Sequence, residues 1–280
     1  MSDMDSTANL VSTEWLEAHL KDVRVVDASW YMPDEKREPA KEFETGHIPG
    51  AVFFDIDGIA DHSTDLPHMM PSPGEFSKAV GGLGIGDGET VIVYDGSGIF
   101  SAPRVWWMLK AMGHDKVMVL DGGLPKWKRE GRAVETGPAH PSAKFFTAIA
   151  RPAITRDFDG VMGVIRNKNA QLVDARSAAR FKGEEAEPRA GVRRGHMPEA
   201  RNVPWRSVVS AEGTLKPSGE LRDAFGAVDI AKPIVTTCGS GISAAILMLA
   251  LQEIGARDVA LYDGSWTEWG GRPEAPVVTG

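Results

Sequence analysis

The chain has 280 residues, 42% of them hydrophobic and 25% charged, enough for one sizeable core or for two. A formal net charge of −8 argues against a nucleic-acid-binding surface, which needs a basic footprint, and no apolar run approaches the ~20 residues that cross a bilayer. One cysteine cannot close an internal disulfide, and the first ten residues are polar and acidic, without the basic stretch and apolar core of a leader, so a reducing, cytoplasmic location is expected.

In chain order, residues 23–29 form a short β-type apolar run ending in Asp27-Ala28. Gly46-His47-Ile48-Pro49 follows, and then a loop holding His62 and His68 beside Met69 and Met70, whose spacing fits no metal template. Residues 90–94 read as a strand covered on both faces, running into Asp95-Gly96-Ser97-Gly98-Ile99. Residues 117–123 give another strand ending in Asp121-Gly122-Gly123, with Trp127 behind it. Prolines 138, 141 and 152 with Gly137 mark a linker.

The same series then returns. Residues 170–176 end in Asp174-Ala175, residues 195–198 read Gly-His-Met-Pro, residues 234–237 run into Cys238-Gly239-Ser240-Gly241-Ile242, and residues 259–265 end in Asp263-Gly264-Ser265 before Trp269. Partners lie 142–149 positions apart, in the same order, so the chain is two copies of one domain. The boundaries expected are 18–137 for domain 1, 138–160 for the linker and 161–280 for domain 2. Apolar runs alternating with helical patterns predict an α/β fold, each copy a mainly parallel sheet flanked by helices. The helix expected over 243–254 is apolar on nearly every side and therefore buried, with Gly255 placed to stop it.

Cys238 is the candidate nucleophile. It follows a buried strand and precedes a helix across a glycine-rich turn, where backbone amides converge on an anion. The first copy keeps the glycines but carries Asp95 at this place. A carboxylate cannot stand in for a thiolate nucleophile, so domain 1 is expected to be catalytically silent. His47 and His196 recur in both copies although only one has the cysteine, which favours a structural role. Asp174 and Arg176 are expected to tie the strand end to its neighbours. Ser240 is a second candidate, its hydroxyl available to a donor carbonyl or a leaving enolate, although Ser97 fills the same place in the silent copy.

These paired Gly-His-Ile/Met-Pro motifs, the Asp-Gly-Gly and Asp-Gly-Ser segments with a following Trp, and the cysteine loop resemble the tandem-domain rhodanese family over nearly the whole chain. Within it, the Cys238 loop is similar to the Cys-Gly-Ser-Gly-Val-Thr loop of the 3-mercaptopyruvate sulfurtransferases, with Ile242 for Val and Ser243 for Thr. Residues 27–30, 53–57 and 101–107 resemble that subgroup too. The resemblance implies a persulfide on Cys238, loop residues Gly239, Ser240, Gly241, Ile242 and Ser243 around the donor, and Arg180 and Arg189 binding its carboxylate. Composition alone would leave those arginines as surface charges among Glu184, Glu185 and Glu187. The resemblance also implies a thiol acceptor such as thioredoxin or glutathione, or cyanide, with no metal, nucleotide or organic cofactor and no nucleic-acid or membrane partner.

Three other readings remain open. Thiosulfate as donor is weakened because the loop lacks the basic residues that hold a dianion. A cysteine-loop phosphatase is weakened because no arginine closes the loop. A non-enzymatic persulfide relay differs from an enzyme in releasing no pyruvate with turnover.

Overall fold

A computed structural model of the chain describes residues 9–280, so most of the acidic start lies outside the described residues. Two compact units result. One comprises residues through Ala60, Pro71–Ala150 and Ser210–Leu215; the other comprises Asp61–Met70, Arg151–Val209 and Lys216–Gly280.

The first unit alternates strand and helix: β1 (Leu10–Val11), α1 (Thr13–His19), β2 (Arg24–Asp27), α2 (Pro39–Thr45), β3 (Val52–Phe53), α3 (Pro73–Gly82), β4 (Val91–Tyr94), α4 (Ala102–Ala111), β5 (Val117–Leu120) and α5 (Gly123–Arg129). All its strand pairs are parallel, in the order β1-β5-β4-β2-β3. The second unit repeats this element for element: β6 (Thr155–Arg156), α6 (Phe158–Asn167), β7 (Gln171–Asp174), α7 (Ala178–Lys182), β8 (Arg201–Asn202), α8 (Ser218–Ala224), β9 (Ile234–Thr237), α9 (Ile242–Glu253), β10 (Val259–Tyr262) and α10 (Ser265–Gly271). Its order, β6-β10-β9-β7-β8, is the same and again parallel. The two parallel sheets expected from the repeats are therefore present.

Sequence chemistry explains the layering. β4, β5, β9 and β10 are buried at every residue, as runs such as Val91-Ile92-Val93-Tyr94 require when helices cover both faces. α9 is buried from Ala244 to Leu251 on all sides and starts one residue before the expected helix. Gly255 follows at φ 99°, the left-handed conformation that ends helices without a Cβ penalty. Trp127 and Trp269 are matched core residues, fully buried, each donating its indole N–H to a nearby carbonyl, Ala133 O at 2.7 Å and Pro276 O at 2.9 Å.

The sheet edges reach past the domain bounds read from sequence, because β1 precedes residue 18 and β6 falls within 138–160. That segment is packed at both ends: Lys144 N–H donates to Gly81 O and Ile149 N–H to Met112 O, both at 2.9 Å, and residues 155–156 pair with β10. Among the described residues no helix is long and apolar enough to cross a membrane.

Candidate active site

Register sets the site. β7 pairs with β9 so that Asp174 faces Thr237, which leaves Cys238 as the first residue beyond the carboxyl end of a central strand. That end of a parallel sheet is where ligands bind in open α/β folds. The turn then closes within three residues because Gly241 takes φ 83° as the N-cap of α9, a conformation that side chains disfavour. Cys238 is 2% exposed, and the Gly241 N–H donates to its Sγ at 3.2 Å. The amide directed at sulfur and the first turn of a twelve-residue helix together favour negative charge there.

The turn after β10 fastens the loop from outside. Trp266 N–H donates to Cys238 O and Thr267 N–H to Gly239 O, both at 2.9 Å. The Thr267 hydroxyl donates to the same Gly239 oxygen at 2.7 Å, and Cys238 N–H donates to Ser265 Oγ at 3.2 Å. Ser265 is fully buried at φ 49°, a rare backbone for a residue with a Cβ. Its counterpart Gly123 has φ 51°, but a Cβ there would lie 2.5 Å from Asp95 O and 2.6 Å from Gly98 O. A serine fits only in the second copy.

The arginines lie beside this loop. A Cβ on Gly239 would sit 3.1 Å from Arg180 Nη2, so the guanidinium rests directly against the loop backbone. Arg180 is held by Glu187, through Nη2 to Oε2 and Nε to Oε1, while its Nη1 makes no hydrogen bond among the described residues. Arg189 donates from Nη1 to Thr267 Oγ1 at 3.4 Å, one residue removed from the loop. Asp174 and Arg176 form a fully buried pair in which Nε and Nη2 both reach the carboxylate. Arg176 also donates to Gly195 O and to Glu187 Oε1, each at 2.8 Å, and stacks 4.2 Å from the Trp266 ring centroid.

Glu187 is a residue to which sequence reasoning gave no role. Its neighbours Glu184 and Glu185 are exposed, whereas its side chain is 4% exposed and bridges two arginines. Ser265 and Thr267 also went unmarked, although aligning Ser265-Trp266-Thr267 with Gly123-Leu124-Pro125 exposes both differences. Ser240 is 8% exposed, and its hydroxyl makes no hydrogen bond among the described residues. Ile242 and Ser243 open α9. His47 and His196 do the same structural work twice: each ring stacks on a phenylalanine, Phe43 at 3.9 Å and Phe181 at 3.7 Å, and bonds that residue's carbonyl through Nδ1 at 2.8 Å. His68 is buried in the segment Asp61–Met70, which packs with the second unit; there Met70 N–H donates to Asp263 Oδ2 at 2.8 Å. Among the described residues no group of three or more His, Cys, Asp or Glu is placed to hold a metal.

In the first copy the equivalent loop holds a carboxylate. Asp95 Oδ1 accepts from Ser97 N at 2.8 Å, and Oδ2 accepts from Phe100, Ser101 and Ala102 N at 2.8–2.9 Å. Burial pushes this carboxyl's pKa up, against the pull of the four amides.

Comparison with known proteins agrees with this geometry. The rhodanese-like domain matches residues 12–130 and again 161–272. The chain is similar to the 3-mercaptopyruvate sulfurtransferase of Escherichia coli K12, 45% identical with 97% of this chain and 98% of the relative covered. It is also similar to the thiosulfate sulfurtransferase of Rattus norvegicus, 40% identical over 97% of this chain and 95% of the relative. The crystal structure of SseA from Escherichia coli, titled as a 3-mercaptopyruvate sulfotransferase, superposes with a TM-score of 0.85 at 42% identity, covering 92% of this chain and 99% of that one. Two rhodanese-like copies, the second carrying the chain's single cysteine, and relatives matched end to end establish that this chain belongs to the rhodanese family as a tandem-domain sulfurtransferase.

Proposed function

We propose that the enzyme takes sulfur from 3-mercaptopyruvate onto Cys238 and passes it to a thiol acceptor or cyanide, releasing pyruvate. The observation that carries this reading is the charge beside the loop. Arg180 rests against the loop backbone, its Nη2 3.1 Å from where a Cβ on Gly239 would sit, and Arg189 bonds Thr267 beside the same loop. Guanidinium groups beside a loop with no cation of its own suit a carboxylate that extends away from the sulfur, whereas a dianion such as thiosulfate would meet only the neutral Gly239-Ser240-Gly241-Ile242 within the loop. The planar forks of Arg180 and Arg189 suit a carboxylate by paired hydrogen bonds.

Chemistry then runs in two halves. The Cys238 thiolate attacks the donor sulfur; an S–S bond forms, the C–S bond breaks, and its electron pair leaves as the enolate of pyruvate, which is then protonated. The Ser240 hydroxyl, which makes no hydrogen bond among the described residues, donates to that enolate in this scheme. Loop amides from Gly239 to Ser243 hold the persulfide until an acceptor thiol or cyanide attacks the outer sulfur and restores the thiolate. Dividing one transfer into two requires ping-pong kinetics. The first copy is silent in this scheme because Asp95 occupies the nucleophile's place. A reducing compartment such as the cytoplasm keeps Cys238 available.

The test is a steady-state comparison of both donors with cyanide as common acceptor. Mercaptopyruvate should give the higher kcat/KM; a higher value for thiosulfate overturns this choice of donor and leaves the sulfurtransferase assignment intact.

A further inference from the structure

The turn that follows β10 differs from its counterpart after β5 in a way that tracks the nucleophile. In the first copy, among the described residues, the turn reaches the loop through the Leu124 N–H alone, which donates to Asp95 O at 3.0 Å. The next residue, Pro125, has no N–H to give. In the second copy that place is Thr267, which holds Gly239 O twice, by its amide at 2.9 Å and by its hydroxyl at 2.7 Å.

We propose that Thr267 is a positioning residue for sulfur transfer: by fixing the Gly239 carbonyl it turns the Ser240 amide toward the inside of the loop, where the outer sulfur of a persulfide would lie beside the Gly241 N–H that reaches Cys238 Sγ. A trans peptide is planar, so its C=O and the following N–H point in opposite directions, and no peptide among the described residues is cis. Pinning the Gly239 oxygen outward therefore turns the Ser240 N–H away from Thr267. The first copy marks what lies on that side. Its equivalent amide, Ser97 N–H, donates to the Asp95 carboxylate at 2.8 Å.

The difference has a physical reason. The Asp95 carboxyl is a fixed part of its loop, whose two oxygens organise four amides from within. At Cys238 the anion is a sulfur that arrives and leaves in every cycle. Amides that must be aimed before the charge develops have to be held from behind, which is the logic of a preorganised oxyanion hole.

The same hydroxyl also accepts from Arg189 Nη1 at 3.4 Å. If Arg189 takes the donor carboxylate, as in the function proposed above, donor binding reaches the loop through Thr267. This second role rests on that reading; the aiming role does not.

The test compares the full-length wild type with Thr267→Val, which keeps shape and backbone N–H but removes the hydroxyl, and with Thr267→Ser, which restores it. Thr267→Ala is a second hydroxyl-free variant should valine disturb folding. Two rates are measured: alkylation of Cys238 by iodoacetamide at neutral pH without donor, and single-turnover persulfide formation at saturating mercaptopyruvate. Losing one hydrogen bond should slow both by roughly three- to tenfold, with donor KM changed by less than about twofold and Thr267→Ser close to wild type. Unchanged rates in both hydroxyl-free variants, or a raised KM alone, overturn the proposal. Slower alkylation in a protein that accepts no sulfur from mercaptopyruvate would support the aiming role while defeating the donor reading.

Discussion

The Asp95 loop and the Cys238 loop share their glycines and their place at the end of a central strand, yet they manage charge in opposite ways. Asp95 fills its loop with a carboxylate bonded to four amides, and the turn behind it contributes one hydrogen bond. Among the described residues, Cys238 has the Gly241 amide on its sulfur, and the turn behind it contributes four hydrogen bonds. The neighbourhood diverges in step. Asp27 in the first copy is partnered by Ser29, where Asp174 in the second is partnered by the guanidinium of Arg176. Duplication followed by divergence has left one copy with a filled anion site and the other with a site that, in the proposed cycle, serves an anion that comes and goes.

The largest way to break this contrast is to strip the second copy of its donor cations. Charge-assisted hydrogen bonds contribute ~1.5–3 kcal/mol each, so Arg180→Ala or Arg189→Ala should lower kcat/KM for mercaptopyruvate by roughly ten- to a hundredfold. Thiosulfate use should fall less. Two variants that both retain wild-type kcat/KM for mercaptopyruvate would remove the basis for a carboxylate donor. A cation added to the loop belongs at Ser240 in preference to Gly239, where an added Cβ meets Arg180 Nη2 at 3.1 Å. Ser240→Lys should move the donor preference toward thiosulfate, read as the ratio of the two kcat/KM values.

A smaller effect on turnover, with a large one on stability, is expected at Asp95. Asparagine has one accepting oxygen where Asp95 uses two, so at least one of the four amides would face an NH2 group, and a buried polar group left unpaired costs ~1–3 kcal/mol. Asp95→Asn should therefore lower the melting temperature while turnover per folded molecule stays within about a few-fold of wild type. A collapse of turnover with a native melting profile would mean that the first copy contributes chemistry.

The effect with the least bearing on turnover concerns pH. Burial of Asp27 raises its pKa from 3.8 to about 6, more than the Ser29 hydrogen bonds lower it. Between those values the folded protein holds a proton that the unfolded chain has released, so stability falls as pH rises through that window, by ~3 kcal/mol in total. Asp27→Asn should make the dependence of the urea midpoint on pH shallower over about pH 4 to 6, with Asp95, also raised, supplying part of what remains. An unchanged slope would show that Asp27 ionises as freely folded as unfolded.

Much of this was readable in the residues. Asp27-Ala28 with Asp174-Ala175, and Asp121-Gly122-Gly123 with Asp263-Gly264-Ser265, mark strand ends in both copies, and buried strands such as β4 and β9 announce themselves as unbroken apolar runs. The edge strands do not: β1, β3, β6 and β8 have two residues each, too few to show a period. Glu187 was hidden for another reason. Its burial depends on Arg176 and Arg180 folding back from loop and short helix, and charge runs carry no periodicity that separates a bridging carboxylate from the exposed Glu184 and Glu185 beside it. Nor does any sequence signal assign Asp61–Met70 to the second unit, because that packing is set by contacts far apart in the chain.

The most direct measurement is mass spectrometry of the protein after mercaptopyruvate is added without acceptor, with Cys238→Ser treated alongside. The wild type should carry one additional sulfur atom on the peptide containing Cys238 and lose it when a thiol acceptor is added. Cys238→Ser should stay unmodified, fold normally and show no turnover, since its hydroxyl is nearly isosteric but a poor sulfur acceptor. Turnover that proceeds while Cys238 remains unmodified, or that survives in Cys238→Ser, would contradict a persulfide carried on this residue.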